Sequence, residues 1–230
     1  MAVAKSKRTQ IIGGERSDVA VVSAIHAHAA GSLAPLVMEM EVAWPSEMLR
    51  DGLVLVDPPG VGIAHDVHKE VTRRWIRERA AAVTLVVDNR GLTEAVVDLL
   101  RKSEFLNRLL YYTGDAAVGR PSLMIAVVRV DEIAETLYQE QTKAPKRPKA
   151  AFFDEVCEKA ERTVREQFRG YLRAVWAKDD TAESVDVAKQ EVIEALVSDV
   201  QVQALSASQY RKIEVADPDG RCRRGDHRFE

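Results

Sequence analysis

A carboxylate at the end of an apolar run is the most informative feature of this chain. Residues 53–62 read Leu-Val-Leu-Val-Asp-Pro-Pro-Gly-Val-Gly, so that Asp57 follows four apolar residues and Gly60 comes three residues later. Such a run, bounded by turn residues, predicts a buried strand. A glycine beside the carboxylate lets the backbone approach a ligand closely. In nucleotide hydrolases this arrangement holds Mg²⁺ through the Asp and points a backbone N–H at the terminal phosphate.

Two further polar segments also follow apolar runs. Asp131 comes directly after residues 123–130, and Ser206-Ala207-Ser208 follows residues 200–205. Because ligands of parallel sheets bind at the carboxyl ends of the strands, these residues and Asp57 are expected on one sheet edge. A carboxylate that caps a turn or a helix is the alternative interpretation of Asp57. The agreement of three segments favours the functional interpretation.

The elements that must position these residues alternate along the chain. Apolar spacing predicts strands over residues 9–12, 35–44, 53–57, 83–88, 123–130 and 200–205. It predicts helices over residues 16–30, 66–80, 93–112 and 182–198, and a long helix after residue 149. One stripe of the long helix is apolar and is predicted to face the core: Phe152, Val156, Ala160, Val164, Phe168 and Leu172. This alternation is typical of an α/β fold with a mainly parallel sheet.

The three polar segments resemble motifs of GTPases. Asp57-Pro58-Pro59-Gly60 is similar to the switch II motif, Asp-x-x-Gly, and Ser206-Ala207-Ser208 is similar to the last guanine-contacting loop. Val128-Arg129-Val130-Asp131 resembles the guanine-specificity motif, Asn/Thr-Lys-x-Asp, with Val and Arg replacing its first two residues. Arg can still stack on a planar base, whereas Val supplies no polar contact.

Residues next to these motifs make the resemblance more specific. Leu49-Arg50-Asp51-Gly52 leads into the Asp57 run, and Arg90-Gly91-Leu92-Thr93-Glu94 follows the next predicted strand. The whole set resembles the GTPase domain of the bacterial dynamin-like proteins over about residues 35–215. The resemblance implies a GTPase-like mixed sheet of the P-loop NTPase type with flanking helices, and a helical insertion over residues 132–198.

The resemblance also assigns roles to individual residues. Asp57 would hold Mg²⁺ through water, and Gly60 would contact the γ-phosphate of GTP. Arg129 would pack over the base, and Asp131 would select guanine together with Ser206 and Ala207. In the complete domain, GTP and Mg²⁺ would be bound and GTP hydrolysed by water.

The phosphate-binding loop of this family is absent from the sequence. No Gly-x-x-x-x-Gly-Lys-Ser/Thr occurs, and the nearest Gly-rich stretch, Gly13-Gly14-Glu15-Arg16, lacks the Lys-Ser/Thr partner. In the family's sheet, the phosphate-loop strand lies between the strands that correspond to residues 53–57 and 83–88. The chain is therefore interpreted as a partial domain that does not hydrolyse GTP alone. A GTPase-like protein that lost catalysis, and that regulates an intact dynamin-like protein, is the alternative.

Domain boundaries follow from this interpretation. Residues 1–34 are interpreted as an N-terminal remnant with the switch I region, residues 35–215 as the partial GTPase domain, and residues 216–230 as a loose tail. Thr9 is a candidate for the switch I threonine, although an ordinary loop residue is the favoured interpretation.

The net charge and the cysteine content limit the expected partners and compartment. A net charge of −3 gives no electrostatic case for nucleic acid, and two cysteines are typical of a reducing compartment. We expect a cytoplasmic protein that binds guanine nucleotide and self-associates or binds a dynamin-like partner, with peripheral membrane association through regions outside this chain. His65 and His68 are interpreted as surface residues, and the basic loop over residues 141–149 as solvated.

Overall fold

The computed structural model describes residues 23, 25–26, 40–43, 46–58, 66–110, 121–142, 147–179 and 187–214. The chain divides into two units, Met1–Val56 and Asp57–Glu230. In the first unit, residues 23, 25 and 26 are helical, and Glu47–Leu49 forms one 3-10 turn. Among the described helices of the chain, none combines the length and the apolarity needed to span a bilayer.

The second unit alternates helices with strands. Its helices are α1 (Asp66–Glu78), α2 (Glu94–Lys102), α3 (Phe105–Leu110), α4 (Val130–Gln139), α5 (Lys149–Asp179), α6 (Val187–Asp199) and α7 (Ala207–Glu214). Its strands are β1 (Ala82–Val87), β2 (Ser122–Val127) and β3 (Gln201–Ala204). The α/β class predicted from the sequence is confirmed: in the part of the chain that the structure describes, a small parallel sheet of three strands is flanked by helices.

The sheet has the strand order β1-β2-β3, and its register places apolar residues on one face. Leu85 pairs with Ile125, which pairs with Val202. All three side chains are buried. Successive side chains of a strand point to opposite faces, so this row lies on a single side of the sheet. Burial of each such side chain contributes about 1.5–3 kcal/mol.

The long helix α5 supplies much of the remaining core. Its predicted apolar stripe is confirmed: Ala160 is partly buried and the other members are buried, namely Phe152, Val156, Val164, Phe168 and Leu172. Cys157 beside the stripe is also buried, as expected of a core thiol. The helix packs against α4, α6 and β3. The Oε1 of Glu161 on α5 accepts a hydrogen bond from the backbone N–H of Ala204 at 2.9 Å, which ties the helix to β3.

A second tie joins α5 to the loop after β1. The Oε1 of Gln167 accepts from the Leu92 N–H at 2.9 Å, and its Nε2 donates to the Arg90 carbonyl at 3.2 Å. Between them, Gly91 has a φ of +85°, which favours glycine, and a Cβ there would lie 2.1 Å from the Gln167 Oε1. The glycine therefore permits both the turn and the close approach of the long helix.

The predicted buried strand over residues 53–57 is wrong. These residues are irregular in the structure, and Val54 and Leu55 are 77% and 66% exposed. An apolar run forms a strand only if a neighbouring strand receives its N–H and C=O groups, and the described sheet consists of β1, β2 and β3. Residues 40–43, the described part of the predicted strand 35–44, are likewise irregular.

Two other element boundaries differ from the predictions. The helix expected over residues 93–112 is divided into α2 and α3, because Glu104 adopts a φ of 60° and ends the helical path. The strand expected over residues 123–130 ends at Val127, and Val130 already belongs to α4. The helix that follows the last guanine-contacting loop in the family was expected to be absent, and this expectation is wrong: Ala207–Glu214 forms α7, whose short polar sequence gave no clear helix signal.

Several predictions fall outside the described residues. They concern the strand over residues 9–12, most of the helix over residues 16–30, Thr9, Gly60, His65, residues 143–146 and the tail from residue 216. The helix over residues 182–198 is described from Val187 onward.

Two glycine-to-alanine variants test the link between the β1 loop and α5. Gly91→Ala is expected to lower the free energy of unfolding by about 1–3 kcal/mol, since it strains a positive φ and displaces Gln167 from its two hydrogen bonds. Gly170→Ala, in the exposed interior of α5 with nothing within 4 Å of the added Cβ, is expected to raise it by about 0.5–1 kcal/mol. Urea denaturation measures both. Equal effects would contradict the proposed role of Gly91.

Candidate functional site

The carboxyl ends of the three strands lie at one edge of the sheet. The Val128 N–H donates to the Val87 carbonyl at 2.8 Å, and the Leu205 N–H donates to the Val127 carbonyl at 2.8 Å. These two bonds hold the residues that follow β1, β2 and β3 at the same level. Polar residues that follow the strands are therefore brought together at this edge.

The turn after β2 places Asp131 in the first turn of α4. Arg129 precedes the helix with φ 64° and ψ 23°, in the left-handed region. The following residue, Val130, is fully buried and anchors the start of the helix. Asp131 is consequently the second residue of α4, next to the sheet edge, and its side chain is half-buried. Left-handed backbone at a non-glycine residue is strained, and such strain is often found at functional sites.

The turn after β3 is held by an N-terminal helix cap. The Oγ of Ser206 accepts a hydrogen bond from the Gln209 N–H at 3.2 Å, and the Ser206 carbonyl accepts one from the Tyr210 N–H at 3.0 Å. Serine is favoured at this position because its hydroxyl pairs with an N–H of the first turn that lacks a helical partner. The cap orients the first turn of α7, which contains Ala207 and Ser208.

A direct hydrogen bond joins the two turns. The Ser208 hydroxyl donates to the Oδ2 of Asp131 at 2.5 Å, and the hydroxyls of Ser206 and Ser208 are 3.0 Å apart. We call Asp131, Ser206 and Ser208 the Asp131–serine cluster. Two of its members were predicted from the sequence as site residues. Ser208 was not, although it belongs to the Ser206-Ala207-Ser208 segment that resembles the last guanine-contacting loop.

Charged residues after β1 and β2 extend this edge. The Arg90 side chain donates to the Oδ2 of Asp88 from Nε at 2.9 Å and from Nη2 at 2.5 Å, and the Arg90 N–H donates to the Oδ1 at 2.9 Å. Arg129 forms a similar two-point pair with Glu132, at 2.9 and 2.7 Å.

These pairs shift the acid–base equilibria of the edge. The hydrogen bonds from the Arg90 side chain and backbone hold the pKa of the Asp88 carboxyl below its ordinary value, and the charge of Arg129 lowers it further. The Asp88 carboxylate raises the pKa of Arg90, and Glu132 raises that of Arg129. The loops after β1 and β2 therefore share one electrostatic environment.

The other predicted site residues make no hydrogen bond with this cluster or are not described. Asp57 is exposed on irregular backbone, and Gly60 lies outside the described residues. Within the described parts of the chain, no three His, Cys, Asp or Glu side chains converge to hold a metal ion. The structure therefore brings Arg129, Asp131, Ser206 and Ala207 to one edge, and it does not join Asp57 to them by a hydrogen bond.

The chemistry of the cluster suits binding. Asp131 is half-buried and offers carboxylate oxygens, while Ser208 and Ala207 are exposed to solvent. A carboxylate has about four acceptor positions, so that Asp131 can keep its bond to Ser208 and accept two further donors. A pair of adjacent N–H groups is the ligand pattern that such a carboxylate recognises.

No family model, curated protein or solved structure matches this chain.

A pair of substitutions at Arg129 isolates the backbone strain. Arg129→Gly and Arg129→Ala both remove the guanidinium from Glu132, whereas only glycine relieves the left-handed conformation. The glycine variant is expected to have a folding equilibrium constant roughly fivefold more favourable than that of the alanine variant. Thermal and urea unfolding measure the difference. An alanine variant as stable as the glycine variant would show that the strain is absent.

The Asp88–Arg90 pair predicts a pH dependence. Because the folded pKa of Asp88 is lowered, the stabilisation is present above the unfolded pKa and is lost as the pH falls through the folded pKa. Arg90→Gln is expected to raise the pKa of Asp88 towards its ordinary value of 3.8. Carboxyl-detected NMR titration measures it. Arg101→Gln, at the exposed Asp98 pair, is the control and should leave Asp88 unchanged.

Proposed function

We propose that this chain carries the guanine-binding edge of a dynamin-like GTPase domain. The observation that carries the proposal is the hydrogen bond from Ser208 to Asp131, at 2.5 Å. It joins two segments that lie 77 residues apart in the sequence and that each resemble a guanine-contacting motif.

The chemistry of guanine fits the donor and acceptor groups of this edge. Guanine presents two adjacent donors, the ring N1–H and the exocyclic amine, and the carboxylate of Asp131 accepts both. The aliphatic stem of Arg129 packs over the base, and the backbone N–H of Ala207 donates a hydrogen bond to the base carbonyl. Adenine has an acceptor where guanine has N1–H, so it would leave the carboxylate unpaired. Such mismatched polar groups cost about 1–3 kcal/mol each.

The proposal extends to base recognition and includes no hydrolytic step. The described residues do not fit a Mg²⁺ site, since Asp57 is exposed on irregular backbone and no cluster of metal ligands surrounds it. The sequence also lacks the Gly-x-x-x-x-Gly-Lys-Ser/Thr loop that would hold the phosphates. Recognition of the base alone supports a dissociation constant on the order of 1 mM.

A second candidate function is binding to another protein. In the first unit, Leu53, Val54, Leu55 and Val56 are consecutive exposed apolar residues. In the second unit, Val86 on β1 is 66% exposed. Exposed apolar clusters are typical of protein-interaction surfaces. This observation favours binding to another protein, and the sequence resemblance suggests an intact dynamin-like protein as that partner. Retention of such a partner by an Asp131→Ala variant would support this second function over the first.

The Asp131→Asn variant tests the guanine proposal. Asparagine keeps an acceptor for the ring N1–H but replaces the second acceptor with a donor, which fits the carbonyl at C2 of xanthine. We expect the natural chain to prefer GDP over XDP and ADP, and Asp131→Asn to prefer XDP by tenfold or more. Isothermal titration calorimetry with millimolar nucleotide measures all three dissociation constants.

Asp98→Asn is the matched control. It removes the charge of a half-buried, ion-paired aspartate on α2 and should leave nucleotide preference unchanged. Equal affinity of the natural chain for GDP and ADP, or no change in preference in Asp131→Asn, would contradict the proposed function.

A further inference from the structure

We propose that Ser208 is a positioning residue for Asp131, at the end of a hydrogen-bond chain of one polarity that starts at the amino terminus of α7. This inference rests on the proposed guanine site and names a residue that determines its selectivity. It is carried by three contacts, which join Gln209 to Ser206, Ser206 to Ser208 and Ser208 to Asp131.

The direction of each hydrogen bond follows from the groups involved. An ionised carboxylate only accepts, so that the contact with Asp131 uses the one hydroxyl hydrogen of Ser208. In the 3.0 Å contact between the serines, Ser208 can then only accept, and Ser206 must donate. The Ser206 oxygen in turn accepts from the Gln209 N–H at 3.2 Å. The chain therefore runs from Gln209 through Ser206 and Ser208 to Asp131.

The polarity determines what the cluster offers to a ligand. Both serine hydroxyls have committed their hydrogens within the cluster, so they can only accept from a ligand. Asp131 also only accepts. The three side chains therefore select a ligand edge that carries donors. A base with one donor at this edge, such as hypoxanthine, which lacks the exocyclic amine, would leave an acceptor without a partner.

The hydrogen-bond series also holds the Asp131 carboxylate in one orientation. Bonds in a hydrogen-bonded series polarise one another, and the Gln209 N–H belongs to the positive end of helix α7. Asp131 is half-buried, and Ser208 donates the hydrogen bond that its Oδ2 accepts. Loss of this hydrogen bond is expected to weaken guanine binding by about 2- to 10-fold. The loss should be greater for a base with two donors than for a base with one.

Affinities for GDP and IDP, measured on the full chain, test this role. Ser208→Ala is expected to weaken GDP binding by about 2- to 10-fold and to reduce the preference for GDP over IDP. Ser208→Thr retains a hydroxyl and should restore both. Ser208 is exposed at the start of a helix, where alanine is well tolerated. Ser122→Ala, at the opposite end of β2, is the control and should change neither quantity.

The outcomes separate this inference from the proposed function. If Asp131→Ala abolishes GDP binding and Ser208→Ala leaves the GDP affinity and the GDP-to-IDP ratio unchanged, the positioning role is wrong and the guanine site remains. If the natural chain binds no guanine nucleotide, both proposals are overturned. Without nucleotide, the Asp131 Cγ resonance should shift in Ser208→Ala and stay unchanged in Ser122→Ala. An unchanged resonance in Ser208→Ala would also overturn the positioning role.

Discussion

The hydrogen bond between Ser208 and Asp131 is the interaction on which this account depends. It is local in space and distant in sequence, since 77 residues separate its partners. It can form only because three parallel strands end at the same level, and because two helices, α4 and α7, begin directly beyond β2 and β3. The sheet sets the positions of Asp131 and Ser208, and the first turns of α4 and α7 set the orientations of their side chains. The charged groups after β1 and β2 form two ion pairs, Asp88–Arg90 and Arg129–Glu132, in the loops of the same edge.

Helix α5 stabilises the carboxyl edge of the sheet. Its apolar stripe fills the core, and two of its polar side chains reach the loops of the sheet. Gln167 bonds the loop after β1, and Glu161 bonds the last residue of β3. These hydrogen bonds use side chains to satisfy backbone groups that the sheet leaves unpaired at its edge. These bonds hold the backbone in place where the strands of the described sheet end. A candidate site made from loop residues requires such a fixed backbone.

Much of this arrangement could be predicted from the sequence. The apolar runs of β1 and β2 and the helical spacing of the α5 stripe are evident in the sequence, and the places of Asp131 and Ser206 after two apolar runs indicated that these two residues share an edge. The prediction for residues 53–57 was wrong because an apolar run shows the potential for burial and does not show whether a neighbouring strand exists. Ser208 was missed because a serine in a short polar segment becomes informative only when its partner across the sheet is known. The left-handed turn at Arg129 has no sequence signal, since arginine rarely adopts it.

The central claim is that the carboxyl edge of the sheet recognises the base of a guanine nucleotide. Titration of the ¹⁵N-labelled chain with guanosine and with adenosine, followed by amide chemical shifts, tests it without any contribution from phosphate. The account predicts that guanosine shifts the amides of residues 129–132 and 206–209 and that adenosine leaves them unchanged. Equal shifts with both nucleosides, or guanosine-dependent shifts confined to other residues, would contradict it.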